Sequence, residues 1–207
     1  MVERNTYDKA FLQIGGIWSQ SEIAREFVLS RKLGRIAAEL MGVRGVRRYH
    51  DQALYKEAGG GFTPWHADQY YWPLLNSNTC TVWIPLQPTP LAMGPLAFAA
   101  ASHTFEGGRN LQISDESEAI LQQKLTQQNF RYVESSYDLG EVSYHYGWTY
   151  HRAAPNRTNS PRAVMTVIYM DDEIRVAPRS HNHQDQLRDT RVGEVPDTPN
   201  HPIIYRA

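Results

Sequence analysis

The sequence is poor in cysteine, in net charge and in long apolar runs. The single thiol, Cys80, excludes an internal disulfide and a thiolate metal cluster, so any metal site must draw on histidine and carboxylate. The 21 basic and 22 acidic side chains nearly cancel, and a net charge of -1 offers no electrostatic reason for nucleic acid or an anionic membrane as a partner. No apolar stretch approaches the roughly 20 residues that a membrane helix needs. The opening MVERNTYDKAFLQIGG has no basic segment followed by an apolar run, so no signal peptide is read and a soluble, cytoplasmic protein is expected.

What is present suits one domain with a self-sufficient core: 207 residues, of which 41% are hydrophobic and 21% charged. Residues 1–42 read as a helical covering segment, with SQSE at Ser19–Glu22 fitting a capping box and Ile23, Phe27, Ile36, Ala37 and Leu40 giving the apolar recurrence. Gly42 supplies a stop. From residue 43 to 171 the texture changes to short β-rich runs, VRRYHDQALYK, TCTVWIPL, PLAFAA, EVSYHY, WTYH and RAVMTVIYM, separated by turn residues. One helix is expected near Asp115–Asn129. Residues 172–207 are polar and contain proline, and are read as a wrapping tail. Many short strands with helices outside them predict a mainly β double-sheet jelly roll, with an immunoglobulin-like sandwich as the runner-up.

The stretch FTPWHADQYYWP carries the first chemical signal. On a strand, His66 and Asp68 share a face because side chains alternate with period two. Downstream, His151 ends a short strand and Arg162 follows eleven residues later at the head of RAVMTVIYM. Two histidines and one carboxylate can occupy one face of an octahedral Fe(II) and leave three positions open for chemistry. An arginine nearby can grip the far carboxylate of a diacid whose near end chelates the metal, which is what 2-oxoglutarate requires. His145 competes with His151 for the ligand role; the arginine spacing favours His151 and leaves His145 as a packed strand histidine.

Together with VWIPL, MGPLAFAAASH, EVSYHYGWTYHRAAPNRTNSPRAVMTVIY and DTPNHPIIY, these residues resemble the phytanoyl-CoA dioxygenase family of Fe(II)- and 2-oxoglutarate-dependent oxygenases, over about residues 43–205. The resemblance implies a double-stranded β-helix, iron on His66, Asp68 and His151, the cofactor's distal carboxylate on Arg162, and cofactor contacts at Gln52 and Trp83. It also implies O2 as co-substrate and succinate with CO2 as products. Because Asp68 is a carboxylate, where related halogenases carry a small residue, the resemblance implies hydroxylation or another oxidation of a small molecule. The segment before the first core strand is short for the family, which favours a homodimer whose copies complete each other's pockets.

Other marked residues carry weaker readings. Tyr70 and Trp72 share strand parity with the ligands and form either a substrate wall or ordinary core. Lys56 is read as a solvated strand-edge lysine in preference to a binder of an acidic group, and His103 as packing or making a hydrogen bond at the pocket's edge. His181–His183 are read as exposed. Alternation splits Arg44, Arg47 and Arg48 between faces, which weakens any case for CoA, and Cys80 is a small buried apolar group. Two other function classes fit parts of the pattern: a non-catalytic jelly-roll binder with a vestigial metal site, and a cupin-type zinc or manganese isomerase or hydrolase.

Overall fold

The computed structural model describes residues 10–180 and 186–207. In chain order the elements are β1 (Leu12–Gly15), α1 (Glu22–Val28), α2 (Arg31–Met41), β2 (Gly45–Lys56), β3 (Thr63–His66), β4 (Thr79–Pro85), β5 (Leu96–Ala99), α3 (Asp115–Gln127), β6 (Tyr132–Glu134), β7 (Ser143–Tyr146), β8 (His151–Ala153), β9 (Arg162–Asp171) and β10 (Ile203–Arg206). A six-stranded antiparallel sheet runs β1-β2-β9-β4-β7, with β10 also on β2, and a four-stranded sheet runs β3-β8-β5-β6. The two sheets make the expected jelly roll. Among the described residues no helix is long and apolar enough to cross a membrane.

Period-two alternation decides what each sheet face does. On β4 and β9, Cys80, Val82, Ile84, Met165, Val167 and Tyr169 pack beneath the helices with Val28, Ala37 and Ala38. The intervening residues, Thr81 and Trp83 on β4 and Arg162, Thr166 and Ile168 on β9, face the cavity between the sheets. A β-bulge between Arg48 and His50 does the same for β2, whose register shifts so that His50 stands opposite Ile168 and Gln52 opposite Thr166. Without that extra residue, His50, Gln52, Leu54 and Lys56 would share the helix-covered face with Arg48.

The helical expectation for residues 1–42 needs correction in detail. An edge strand precedes two helices, and their caps are Ser21, which accepts from Ala24 N, and Ser30, which accepts from Leu33 N. Ile23 is 83% exposed and Leu40 50%, because the helices bury their small residues instead: Gly34, Ala37 and Ala38 let α2 lie close on Ile204 of β10. Gly42 does end α2, in the left-handed conformation that glycine tolerates. In α3 the reciprocal cap is Ser114 with Ser117. The tail is more than a wrapping: Ile174, Val176 and Leu187 enter a core cluster with Tyr49 and Trp72, and β10 adds a strand. WTYH yields a strand only from His151, and β1, β6 and β10 had no alternating run long enough to be read.

The Arg47 and Arg48 pair is structural. Arg47 donates to Asp197 Oδ1 at 2.8 Å and to the His201 carbonyl at 3.1 Å, while Arg48 pairs with the buried Asp51. Lys56 is also corrected: it is fully buried and its Nζ donates to the Ala154 carbonyl at 2.8 Å. Cys80 is buried, and burial pushes its thiol up to about 12. His181–His183 lie outside the described residues.

Gly94 ties the fold to its interior. Its φ of +69° suits glycine, a Cβ there would collide with the Ala154 carbonyl, and its own carbonyl accepts from the Arg162 guanidinium. Gly94→Ala is expected to destabilise the protein by about 2 kcal/mol. In a chain of this size that is a fall in melting temperature of roughly 4–8 °C, measurable by calorimetry.

Candidate metal centre

The β3–β8 ladder places His66 directly opposite His151, with ring centroids 4.2 Å apart. Each imidazole is oriented by the backbone. His66 Nδ1 lies 2.8 Å from the Pro64 carbonyl and His151 Nδ1 2.9 Å from the Thr149 carbonyl. A carbonyl can only accept, so both Nδ1 atoms carry the proton and both Nε2 atoms present a lone pair, the arrangement metal-binding histidines need. Asp68 Oδ1 stands 3.6 Å from His66 Nε2 and 3.8 Å from His151 Nε2. One ligand atom from each of the three residues lies within 4.8 Å of the others, so the set fits a single cation.

Asp68 reaches this point by a different route from the one strand parity suggests. β3 stops at His66, and Asp68–Tyr71 forms a single 3₁₀ turn anchored by Gln69 N donating to the Gly147 carbonyl at 3.0 Å. The turn also reassigns the aromatics that follow. Trp72 and Tyr71 line the cavity beside His66 and Asp68, whereas Tyr70 turns away to a shallow groove with Trp148 and is not a cavity residue. A turn advances the side-chain direction by about a third of a revolution per residue, so parity fails beyond Ala67.

Two cavities meet at the ligands. The smaller is lined by Thr81, Trp83, Leu96, His145, Thr166 and Arg162 as well as the ligands. Arg162 is 2% exposed; burial pulls its guanidinium down to about 10, which leaves it a cation at neutral pH, and it lies over the Trp83 ring at 5.3 Å. Arg162 Nε, Trp83 Nε1, Thr81 Oγ1 and Thr63 Oγ1 are buried with no hydrogen-bond partner among the described residues. Buried donors left without partners cost about 1–3 kcal/mol each, and here they crowd one slot that ends on a cation. A dicarboxylate reaching from the ligands to Arg162 would satisfy them, so the residues fit 2-oxoglutarate. Lys56 stands across the ladder from Arg162, and burial, followed by the charge of Arg162, pulls it down to about 7.

The larger cavity, about 230 Å³, is lined by Gln13, His50, Gln52, Tyr71, Trp72, Gln112, Ile113 and Ile168 beside His66 and Asp68. Gln52 borders both cavities, and its Oε1 accepts from Gln13 and faces His50 Nε2 at 3.3 Å. Sequence reading missed Gln13, His50, Tyr71 and Gln112. Of these His50 alone had a signal, its shared parity with Gln52; Gln112 lies in a loop with no pattern. His145 is a buried strand histidine as expected, but it faces the centre: its Nε2 is 3.6 Å from Asp68 Oδ2 and its ring 4.5 Å from that of His151. His103 lies outside both cavities, its ring 4.8 Å from that of Tyr146.

Burial pulls His66 and His151 down to about 4, opposed by the Asp68 charge. Burial alone would raise the Asp68 carboxyl, but His151, His145 and His66 outweigh it and hold it well below the usual carboxylate range. Protons therefore compete weakly for the ligands. Cobalt(II) affinity, followed by visible absorption, is expected to fall less than about threefold between pH 8 and 5.5, where two ordinary histidines would lose about 100-fold. For the metal-free protein the sign is fixed: the unfolded chain takes up protons below about 6.5 that the folded site refuses down to about 4, so melting temperature falls with pH across that window.

No curated protein matches the chain in sequence. Among solved structures, the non-heme alpha ketoglutarate dependent carbocyclase SnoK from nogalamycin biosynthesis superposes with a TM-score of 0.79 at 23% identity, over 94% of this chain and 76% of that one. The epimerase SnoN, in complex with Fe3+, alpha ketoglutarate and nogalamycin RO, gives 0.77 at 20%, over 95% and 79%. EctD from S. alaskensis with 2-oxoglutarate and 5-hydroxyectoine gives 0.69 at 21%, over 81% and 61%. These likenesses establish the shared fold. The phytanoyl-CoA dioxygenase family matches residues 6–164, and the chain belongs to that family of Fe(II)- and 2-oxoglutarate-dependent oxygenases.

Proposed function

We propose that the protein hydroxylates a small, uncharged, polar organic molecule, with His66, Asp68 and His151 holding Fe(II) and Arg162 holding the distal carboxylate of 2-oxoglutarate. When bound, that pair supplies the oxidation itself, consuming O2 and releasing succinate and CO2. The observation that carries the reading is the position of the three ligands at the junction of two cavities, one ending on a buried arginine and the other lined by neutral amides.

The residues divide the work. Trp83 covers Arg162 and excludes water from its ion pair, which strengthens it. Gln52, held on its carbonyl side by Gln13 and His50, stands at the boundary between the two cavities, where its amide nitrogen is available to cofactor or substrate. Trp72, Tyr71 and Ile168 give the substrate an apolar wall, and Gln112 and His50 offer hydrogen bonds that orient it. Asp68 is the only charged side chain among the described residues lining this cavity, which supports a neutral substrate over a CoA thioester; Arg47 and Arg48 are already paired. Hydroxylation is the outcome that asks least of the cavity, needing only a C–H bond held near the metal. A vestigial binder or a cupin-type hydrolase would have no use for the buried cation of Arg162.

The test is anaerobic titration with Fe(II) and then 2-oxoglutarate, watching the visible charge-transfer band of the chelated keto acid. His66→Ala and Asp68→Ala should lose the band while remaining folded. Arg162→Ala should keep metal binding but weaken 2-oxoglutarate by about 10- to 100-fold. A folded wild-type protein that shows no band would sink the reading.

A further inference from the structure

The inner face of β7 carries two polar side chains, Ser143 and His145, and the second borders the smaller cavity beside the ligands without being one of them. His145 is 6% exposed, and both of its ring nitrogens are buried with no hydrogen-bond partner among the described residues. Neutral imidazole in such a place forfeits two hydrogen bonds that water would supply, and a strand position facing a cavity is easily filled by an apolar residue. Phe98 packs against it, ring centroids 5.4 Å apart, and Thr81, its cross-strand neighbour, is likewise buried and unpartnered at Oγ1.

The geometry around Asp68 gives the histidine a task. The carboxylate has two faces: Oδ1 is turned to His66 Nε2 and His151 Nε2, at 3.6 and 3.8 Å, and Oδ2 is turned to His145 Nε2, at 3.6 Å. The ligand histidines have Nδ1 fixed by a backbone carbonyl, which commits Nε2 to a lone pair. His145 Nδ1 has no such carbonyl, so the tautomer with hydrogen on Nε2 is open to it. We propose that His145 is a positioning residue: its Nε2–H donates to Asp68 Oδ2, holding the carboxylate so that Oδ1 alone faces the metal.

The consequence is a carboxylate that binds through one oxygen. Free to rotate, Asp68, which opens a short turn and has a partly exposed side chain, could present both oxygens to the cation, taking a coordination position that the cofactor or O2 needs. A donor on Oδ2 prevents this and sets the ligand's orientation from the opposite sheet, since β7 belongs to the six-stranded sheet and the ligand histidines to the four-stranded one. Groups that orient metal ligands in this way change affinity by about 10- to 100-fold when removed.

This inference rests on the metal-centre reading, and the test separates the two. Cobalt(II) and Fe(II) affinities are measured anaerobically for wild type, His145→Leu and His145→Gln, alongside the melting temperature of each metal-free protein. Glutamine carries an amide N–H at about the reach of the imidazole Nε2. The expected result is a 10- to 100-fold loss of metal affinity in His145→Leu, recovery to within about threefold of wild type in His145→Gln, and a metal-free His145→Leu protein about as stable as wild type, because removal of the unpartnered Nδ1 offsets the lost contact to Asp68. Should the leucine variant not fold, His145→Phe, packing on Phe98, takes its place.

Equal affinity in the apolar variant and wild type would overturn the proposal. So would equal weakness of the leucine and glutamine variants with a changed cobalt(II) spectrum, which would make His145 a direct ligand. Wild-type protein that binds neither metal would overturn the centre itself, a failure visible without any His145 variant.

Discussion

The site depends on the register of one short ladder. β8 has three residues and β3 four, yet their pairing sets His66 against His151 so that two lone pairs converge. Neither strand is held mainly by its own hydrogen bonds. β5 flanks β8 on the other side, and α3 packs over the outer face through Trp65, Ala99, Leu121, Leu125 and Tyr150. A slip of one residue would expose that cluster and turn the histidines outward, so apolar packing outside the sheet fixes the metal ligands inside it.

The six-stranded sheet meets a second constraint. One face must bury apolar residues beneath two helices, while the other must stay polar enough to receive an anion. Strict alternation on β4 and β9 satisfies both, and the unpartnered donors of Trp83, Thr81 and Arg162 show how far folding stability is given up on the inner face. The helices recover part of this by close approach, with small residues of α2 resting on β10.

Much of this was legible in the sequence, and the failures are physical. The jelly roll followed from many short β-rich runs such as VRRYHDQALYK, TCTVWIPL and RAVMTVIYM with helices outside them, and the ligand set from joining a common H-x-D to a strand-terminal His151 with Arg162 eleven residues on and from the family resemblance. Parity then failed where the backbone stopped being a strand: it gave Tyr70 and Trp72 the same two readings, substrate wall or core, because the 3₁₀ turn at Asp68 leaves no mark in a polar-aromatic run. Lys56 was read as solvated because a long cation is usually placed in water, and only the fold reveals the Ala154 carbonyl that receives it. Gln13 and Gln112 lie on a four-residue edge strand and a loop, where neutral amides have no period to betray them.

The bulge between Arg48 and His50 has a consequence beyond geometry. It divides β2 into two lengths whose side chains answer to different surroundings: one clasps the tail through Arg47 and Arg48, the other lines both cavities through His50 and Gln52. The inserted residue turns His50 and Gln52 to the cavity while Arg48 keeps the helix-covered face, and Asp51, just past the bulge, pairs back to Arg48. The two lengths stay tied at one point, the buried Arg48–Asp51 pair, so the pocket can diversify at His50 and Gln52 only while Asp51 keeps its hold on the clasp.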